Sequence, residues 1–369
     1  VTNGRRSSPA GGDLGTSNAL PPTVVDISGD GRSRGEAHGE SLRSTIDTAL
    51  HRWRDHVAAR HGLTPSRFVE VFLASTGFVQ TVEQMAPDLH EEVLGIAAGS
   101  GQPLDEIWAY NLMDEEWRFQ HDQGVGCSLL AARSTAPAGG VLMGQNMDLP
   151  SSMAGTQAAL RIAAAADEPA QIVLTAAGMV GLFGVNRAGV GCCVNTLGGL
   201  PAGRSGLPVA FIVREILRRP NADAAVTWLK AVPHASGQHY AIGDRHSVRG
   251  FECSSEACVE GPPTERLVHT NHPIWADSPS SVEGDWGGLT TFARLEALLS
   301  IVPGIERAGD IESALSDPSA GLCVQPTSEV RTETFCSAEF TLSESPAVRV
   351  ALGRPDTAEW FDLPWPDAS

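Results

Sequence analysis

Gly126-Cys127 stands where the chain changes character. Upstream lies a charged section with helical spacing; from Cys127-Ser128-Leu129-Leu130 onward the chain is rich in Ala, Val and Gly with strand-like patterning. A thiol that follows a glycine can reach its own upstream carbonyl, because no side chain shields it, and exchange the amide for a thioester. Water would then release a new amino terminus at Cys127. The freed α-amine titrates at about 7.7 to 8, so it can serve as general base for the thiol on the same residue. Nucleophile and base then require no separate Cys-His pair. The competing reading is a small, buried structural cysteine.

Acyl transfer from such a thiol also needs donors for the developing oxyanion, and neutral side-chain amides suit that task. Asn195 follows the apolar run Cys192-Cys193-Val194, and Asn271 follows Leu267-Val268-His269-Thr270. Each sits where a strand end could present it, though asparagine at such places is also a common turn former. Asp148 closes Gly144-Gln145-Asn146-Met147, and an anion near Cys127 would hold an α-ammonium and tune its pKa. His269 and His272 invite a metal reading, but on a strand their rings would point to opposite faces, so no metal is expected. Cys253 and Cys258 lack zinc-ligand spacing and a second pair, and adjacent Cys192 and Cys193 read as packing. Asp114-Glu115-Glu116 reads as a solvated run of charges, with a pocket wall as the alternative.

These residues need elements to position them. Residues 1–22 are rich in Gly, Ser, Pro and Asn and predict a flexible tail. A short strand at 24–27 and a glycine-rich turn through Gly35 and Gly39 are expected next. Apolar residues three and four apart predict helices over 42–57, 68–85, 87–98 (with Gly99 just past its end) and 103–112. From Cys127 the period becomes two, predicting strands at 127–132, 141–146, 159–165 and 171–176, then a hairpin over 183–194 turning at 186–189. Helical spacing returns at 208–217, 223–232, 289–302 and 311–315, and strands are expected at 239–242, 250–253, 267–270, 334–342 and 348–352. Strand runs and helix runs in blocks imply an α+β architecture, with sheets covered by helices.

Composition limits what the protein can do. The 369 residues are 42% hydrophobic and 19% charged, as in soluble globular proteins. A net charge of -18 with scattered arginines and a single lysine, Lys230, argues against nucleic acid as a partner. No run of eighteen uncharged apolar residues exists, and the amino-terminal residues have no apolar signal segment, so a cytoplasmic protein with no membrane association is expected. Seven cysteines, an odd number, argue against a disulfide framework.

Four runs, taken in order, carry a resemblance: Gly126-Cys127-Ser128, Gly144-Gln145-Asn146-Met147-Asp148, Val268-His269-Thr270-Asn271-His272 and Leu352-Gly353-Arg354-Pro355. Together they resemble the isopenicillin N acyltransferase family, N-terminal-nucleophile (Ntn) hydrolases made as self-cleaving precursors. Gly35-Glu36-Ala37-His38-Gly39, Asn111-Leu112-Met113-Asp114-Glu115 and Gly178 through Val190 extend the likeness over most of 24–365. The resemblance implies a four-layer αββα sandwich of two stacked, mostly antiparallel sheets. It implies one folded domain, 23–369, cut between Gly126 and Cys127 into a helical α-chain, 23–126, and a β-chain, 127–369, that stay together. It further implies Cys127 as nucleophile, Asp148 as the residue orienting its amine, and Asn271 with Asn195 in the oxyanion hole. Gln145, where the related bile-salt hydrolases carry arginine, Met147, Ser236 and His272 are candidate substrate-binding residues. Met147 and Ser128 depart from the fungal enzymes, which have an aromatic residue and a threonine there. The expected activity is amide or thioester cleavage or acyl transfer on a small acylated amine, with no cofactor and acyl-coenzyme A as a candidate co-substrate. A non-catalytic binding protein of the same fold is the alternative.

Overall fold

Period-two patterning from Cys127 onward builds two sheets, and the computed structural model describes them over residues 23–119, 126–136, 139–165, 168–277, 290–327 and 331–367. The expected tail, 1–22, lies outside the described residues. The front section holds β1 (Val24–Ile27) and helices α1 (Gly31–Ser41), α2 (Arg43–His61), α3 (Pro65–Ala74), α4 (Phe78–Met85), α5 (Pro87–Ser100), α6 (Leu104–Asn111) and α7 (Met113–Phe119). Strands β2 (Gly126–Arg133), β3 (Val141–Pro150), β4 (Gln157–Ile162), β5 (Gln171–Ala176), β6 (Phe183–Asn186) and β7 (Gly191–Thr196) follow. After α8 (Val209–Leu217) and α9 (Ala222–Ala231) come β8 (Gln238–Gly243), β9 (Val248–Cys253), β10 (Cys258–Glu260) and β11 (Arg266–His269). Helices α10 (Thr290–Ile301) and α11 (Asp310–Ser316) precede β12 (Thr332–Leu342), β13 (Ala347–Ala351) and β14 (Trp360–Asp362).

One sheet has eight strands in the order β1-β4-β5-β6-β7-β8-β9-β10, and the other has six, β11-β2-β3-β12-β13-β14. Pairing is antiparallel except for β1 with β4. The sheets face each other: Gln145 of β3 bonds Val194 of β7, and the Gln157 amide of β4 donates to the Phe335 carbonyl of β12. Helices α8 and α9 cover the outer face of the larger sheet, and α10 and α11 that of the smaller. This is the αββα sandwich that the resemblance implies. Strand β2 shows why its sequence reads as nearly continuous apolar residues: Leu129 and Ala131 enter the core between the sheets, while Leu130 and Ala132 pack under α10 and α11 with Leu298, Ile311 and Leu315. Among the described residues no helix is long and apolar enough to cross a membrane.

The front section departs from its expected form in three places. The glycine-rich turn is helix α1, and its glycines are there for packing. A methyl on Gly35 would lie 2.0 Å from the Glu92 carbonyl of α5, and one on Gly39 would lie 2.5 Å from that of Ile96. Gly95 and Gly99 answer from α5, so Gly99 is inside the helix and Gly101, at φ +73°, ends it. Backbones that approach this closely exclude side chains on either helix. The expected 68–85 helix is two, α3 and α4, separated at Ser75 to Gly77. Residues 114–116, expected in solvent, lie in α7 and are buried.

The front helices are fastened to α8 by aromatic stacking of Trp108 on Phe211 and by a buried ion cluster. Glu92 accepts from Arg34 Nε at 3.0 Å and from both Arg214 terminal nitrogens at 2.6 and 3.0 Å. Arg34 also pairs with Asp88, and Arg214 donates to the Val180 carbonyl at 2.7 Å.

Candidate active site

Strand β2 opens on Gly126-Cys127, and the register with β3 sets Gly126 opposite Asp148 and Cys127 opposite Met147. Alternation then separates two faces. Cys127 and Met147 project toward the space between the sheets, with sulfurs 3.5 Å apart. Asp148 lies against Gly126: a methyl on that glycine would fall 2.8 Å from Asp148 Oδ2. No larger residue fits beside this carboxylate.

Asn271, just past β11, is brought to the same point. Its Oδ1 accepts from the Cys127 backbone N–H at 2.8 Å, and its Nδ2 donates to the Thr196 carbonyl at 3.1 Å. The first turn of α10 holds this segment: Thr291 Oγ1 accepts from Asn271 N–H at 2.9 Å. One turn further along, Arg294 donates to the Cys127 carbonyl at 2.5 Å, to Ser128 Oγ at 3.1 Å and to Asn271 Oδ1 at 2.9 Å. Sequence reasoning missed Arg294. The signal was present, since Thr291, Arg294 and Leu298 share the buried stripe of α10, and a lone arginine on such a stripe has an internal partner.

The electrostatics are unbalanced. Burial pushes the Asp148 carboxyl up to about 7, although Arg294 and the Thr334 hydroxyl at 2.6 Å pull it down. Asp148 Oδ2 is buried without a hydrogen-bond partner. Burial, followed by the nearby Asp148 charge, pushes the Cys127 thiol up to about 12. The thiol of the continuous chain is thus poorly ionised, and its chemistry requires a proton acceptor beside it.

Cys127, Met147 and Asp148 line a cavity of about 440 Å³, whose other walls include Trp117, Met179, Leu182, Val194 and Val209. The walls are largely apolar. Asp114 adds a carboxylate, accepting from Thr196 Oγ1 at 2.6 Å and from Gln238 Nε2 at 3.1 Å. Its neighbour Glu115 is pushed up to about 7 by burial and then by Asp114, and accepts from Ser236 Oγ at 2.8 Å. Glu116 meets His61 at 2.6 Å with both side chains buried. The three acids are therefore internal; sequence could not reveal this, because their cover comes from distant parts of the chain, Thr196, Gln238 and Ser236 for the first two and His61 of α2 for Glu116.

Of the expected site residues, the structure brings together Gly126, Cys127, Met147, Asp148 and Asn271. The other four are engaged elsewhere. Gln145 bonds both the N–H and the carbonyl of Val194, at 2.9 and 2.7 Å, and so ties β3 to β7. Asn195 meets His239 Nδ1 at 2.8 Å and donates to the His269 carbonyl at 3.5 Å. Ser236 is bound to Glu115, and His272 sits against Phe292 with Nδ1 2.9 Å from Thr291 Oγ1. His269, the last residue of β11, meets Glu252 at 2.9 Å, whereas His272 lies beyond the strand and meets Thr291.

The chain is similar to several known proteins. In Emericella nidulans the 40 kDa form of acyl-coenzyme A:6-aminopenicillanic-acid-acyltransferase is 27% identical over 284 residues, covering 74% of this chain and 76% of that protein. Among solved structures, penicillin V acylase from Agrobacterium tumefaciens is 13% identical with a TM-score of 0.41, over 63% of this chain and 86% of that one. An N-acylethanolamine-hydrolyzing acid amidase ortholog from Caenorhabditis elegans is 14% identical with a TM-score of 0.42, over 64% of this chain and 100% of that one. Residues 135–357 match the sequence model of acyl-coenzyme A:6-aminopenicillanic acid acyl-transferase. That span is more than half of the chain, and the protein belongs to the acyl-coenzyme A:6-aminopenicillanic acid acyl-transferase family.

Proposed function

We propose that the protein is a self-processing cysteine enzyme that cleaves or transfers acyl groups through an acyl-Cys127 intermediate. Family membership supports acyl transfer or amide hydrolysis. The observation that carries the finer reading is where the polar groups point: Asn271 Oδ1 accepts from the Cys127 main-chain nitrogen, and Asp148 lies against Gly126. A site organised around a peptide nitrogen makes sense when that nitrogen becomes a functional amine.

In maturation, Cys127 Sγ attacks the Gly126 carbonyl, the C–N bond breaks, and the nitrogen takes a proton as the thioester forms. Water hydrolyses the thioester to a Gly126 carboxylate and frees the thiol and α-amine of Cys127. In turnover the amine accepts the thiol proton, the thiolate attacks the substrate carbonyl, and the protonated amine returns its proton to the leaving group. Asp148 and Asn271 Oδ1 hold the ammonium form. The Asn271 amide, released from Thr196, is the candidate oxyanion donor; the Asn195 amide is held by His239 and His269. Trp117, Met179, Leu182 and Val209 suit an apolar acyl group. Hydrolysis and transfer differ only in whether water or an amine accepts it, and acyl-coenzyme A is the candidate donor for transfer.

Intact-mass spectrometry under denaturing conditions, beside Cys127→Ala, tests the reading. Fragments 1–126 and 127–369 in the wild type only, with turnover of acyl-amines or acyl thioesters, are expected. A single intact wild-type chain with no reaction would favour a non-catalytic binding protein.

A further inference from the structure

The cysteines outside the cleft are not equivalent. Strands β9 and β10 pair with Cys253 directly opposite Cys258. The turn between them is closed by Ser254 N–H donating to the Ala257 carbonyl at 2.7 Å. Hydrogen-bonded and non-bonded pairs alternate along an antiparallel ladder, so the next pair outward is of the non-bonded kind, in which side chains come closest. The two sulfurs are 2.8 Å apart. Cys253 is buried and Cys258 is half-buried on the edge strand.

A third group completes the cluster. A ring nitrogen of buried His234 lies within 4.8 Å of both sulfurs. Nε2 of that ring meets the Leu229 carbonyl at 3.1 Å, which leaves Nδ1, without a hydrogen-bond partner, as the basic nitrogen. Two thiolates on one tetrahedral zinc stand roughly 3.8 Å apart, given Zn–S bonds of about 2.3 Å. The closer contact here suits two thiols that react with each other. The hydrogen bond from Cys253 lowers the pKa of Cys258, with His234 and Lys230 assisting against burial. Burial keeps Cys253 protonated.

We propose that Cys253 and Cys258 form a reversible dithiol–disulfide site, separate from Cys127, that is oxidised by low-molecular-weight disulfides. The half-exposed Cys258 thiolate attacks one sulfur of a disulfide RSSR, forming a mixed disulfide and releasing RS⁻, which is protonated from solvent. Cys253 gives its proton to His234 Nδ1 and its sulfur attacks that of Cys258, displacing the second RS⁻, which takes up the proton. The sum is two protein thiols oxidised to one disulfide and RSSR reduced to two RSH. The product staples the edge strand β10 to β9.

The test is to incubate the native protein with glutathione disulfide, denature it, alkylate it and digest it with trypsin. Arg249 and Arg266 bracket both cysteines in one peptide, 250–266. In the wild type this peptide should lack two hydrogens and resist alkylation until reduced. Cys253→Ser should accumulate glutathione on Cys258, whereas Cys258→Ser should leave Cys253 unmodified, because the buried thiol does not reach the disulfide. Two alkyl groups on the wild-type peptide, or a lasting glutathione adduct there, would overturn the proposal. So would protection of both thiols that a zinc chelator abolishes, since the cluster would then be a metal site.

Discussion

Two fully buried carboxylates, each beside arginine, meet opposite fates in this molecule. Glu92 has both oxygens bound by Arg34 and Arg214; against the opposing effect of burial, these two guanidiniums hold its pKa below the usual carboxylate range. Asp148 has one oxygen on Thr334 and one without a partner, and burial prevails over Arg294, whose own hydrogen bonds go to Cys127, Ser128 and Asn271. The first cluster is what a fold requires of a buried charge. The second is under-compensated where a peptide nitrogen and a thiol meet, and perturbed groups of this kind concentrate where chemistry is done.

The comparison can be broken by substitution. Cys127→Ala should abolish both self-cleavage and turnover, read by intact mass and product formation, because thiol and base are lost together. Glu92→Gln should cost about 3 to 5 kcal/mol in denaturant unfolding, since two buried guanidiniums lose their counter-charge. Glu92 also sets an acid-side slope. Its lowered pKa adds stability above the normal glutamate pKa that is lost as pH falls through the folded value, and the variant should lack that loss.

Asp148 has the opposite sign. Its folded pKa of about 7 lies above the ordinary aspartate value of 3.8, so the folded state holds a proton the unfolded chain has released. Its contribution is present in full below that ordinary value and disappears as pH rises toward 7, by roughly 4 kcal/mol in total. In a Cys127→Ala background, Asp148→Asn should therefore gain stability over its parent as pH rises from 4 to 8; a parallel pair of curves would break the contrast. Asn271→Ala should lower kcat about 10²- to 10³-fold, or roughly 2.7 to 4 kcal/mol. A neutral control sharpens the comparison. Gln145→Ala strands the Val194 N–H and carbonyl and should cost on the order of 1 to 3 kcal/mol for each, with no pH dependence.

Much of this was legible in the chain. The junction at Gly126-Cys127, an α+β architecture of sheets covered by helices, the hairpin turning through Gly189 at φ +89°, and the segments bearing Asp148 and Asn271 follow from local periodicity and turn chemistry; the four-layer αββα stacking came from the family resemblance, and Asp148 lies inside β3 rather than at a strand end. Glycines 35 and 39 misled because their spacing suits a turn as well as a helix seam; only α5, with Gly95 and Gly99 opposite, decides between them. Arg294 was hidden for the same kind of reason: its stripe was visible, but its partners lie more than a hundred and sixty residues upstream as well as nearby in sequence.

The sequence by itself determined which residues could react and which elements carry them, because side-chain chemistry and the period of two or 3.6 are properties of neighbours along the chain. Tertiary structure decided which partners those residues meet: Asn271 on the Cys127 nitrogen, Asn195 on His239, Gln145 on Val194, and Cys253 on Cys258. Those pairings depend on sheet register and on which faces of distant elements are pressed together, and register shifts by a single residue would reverse every face.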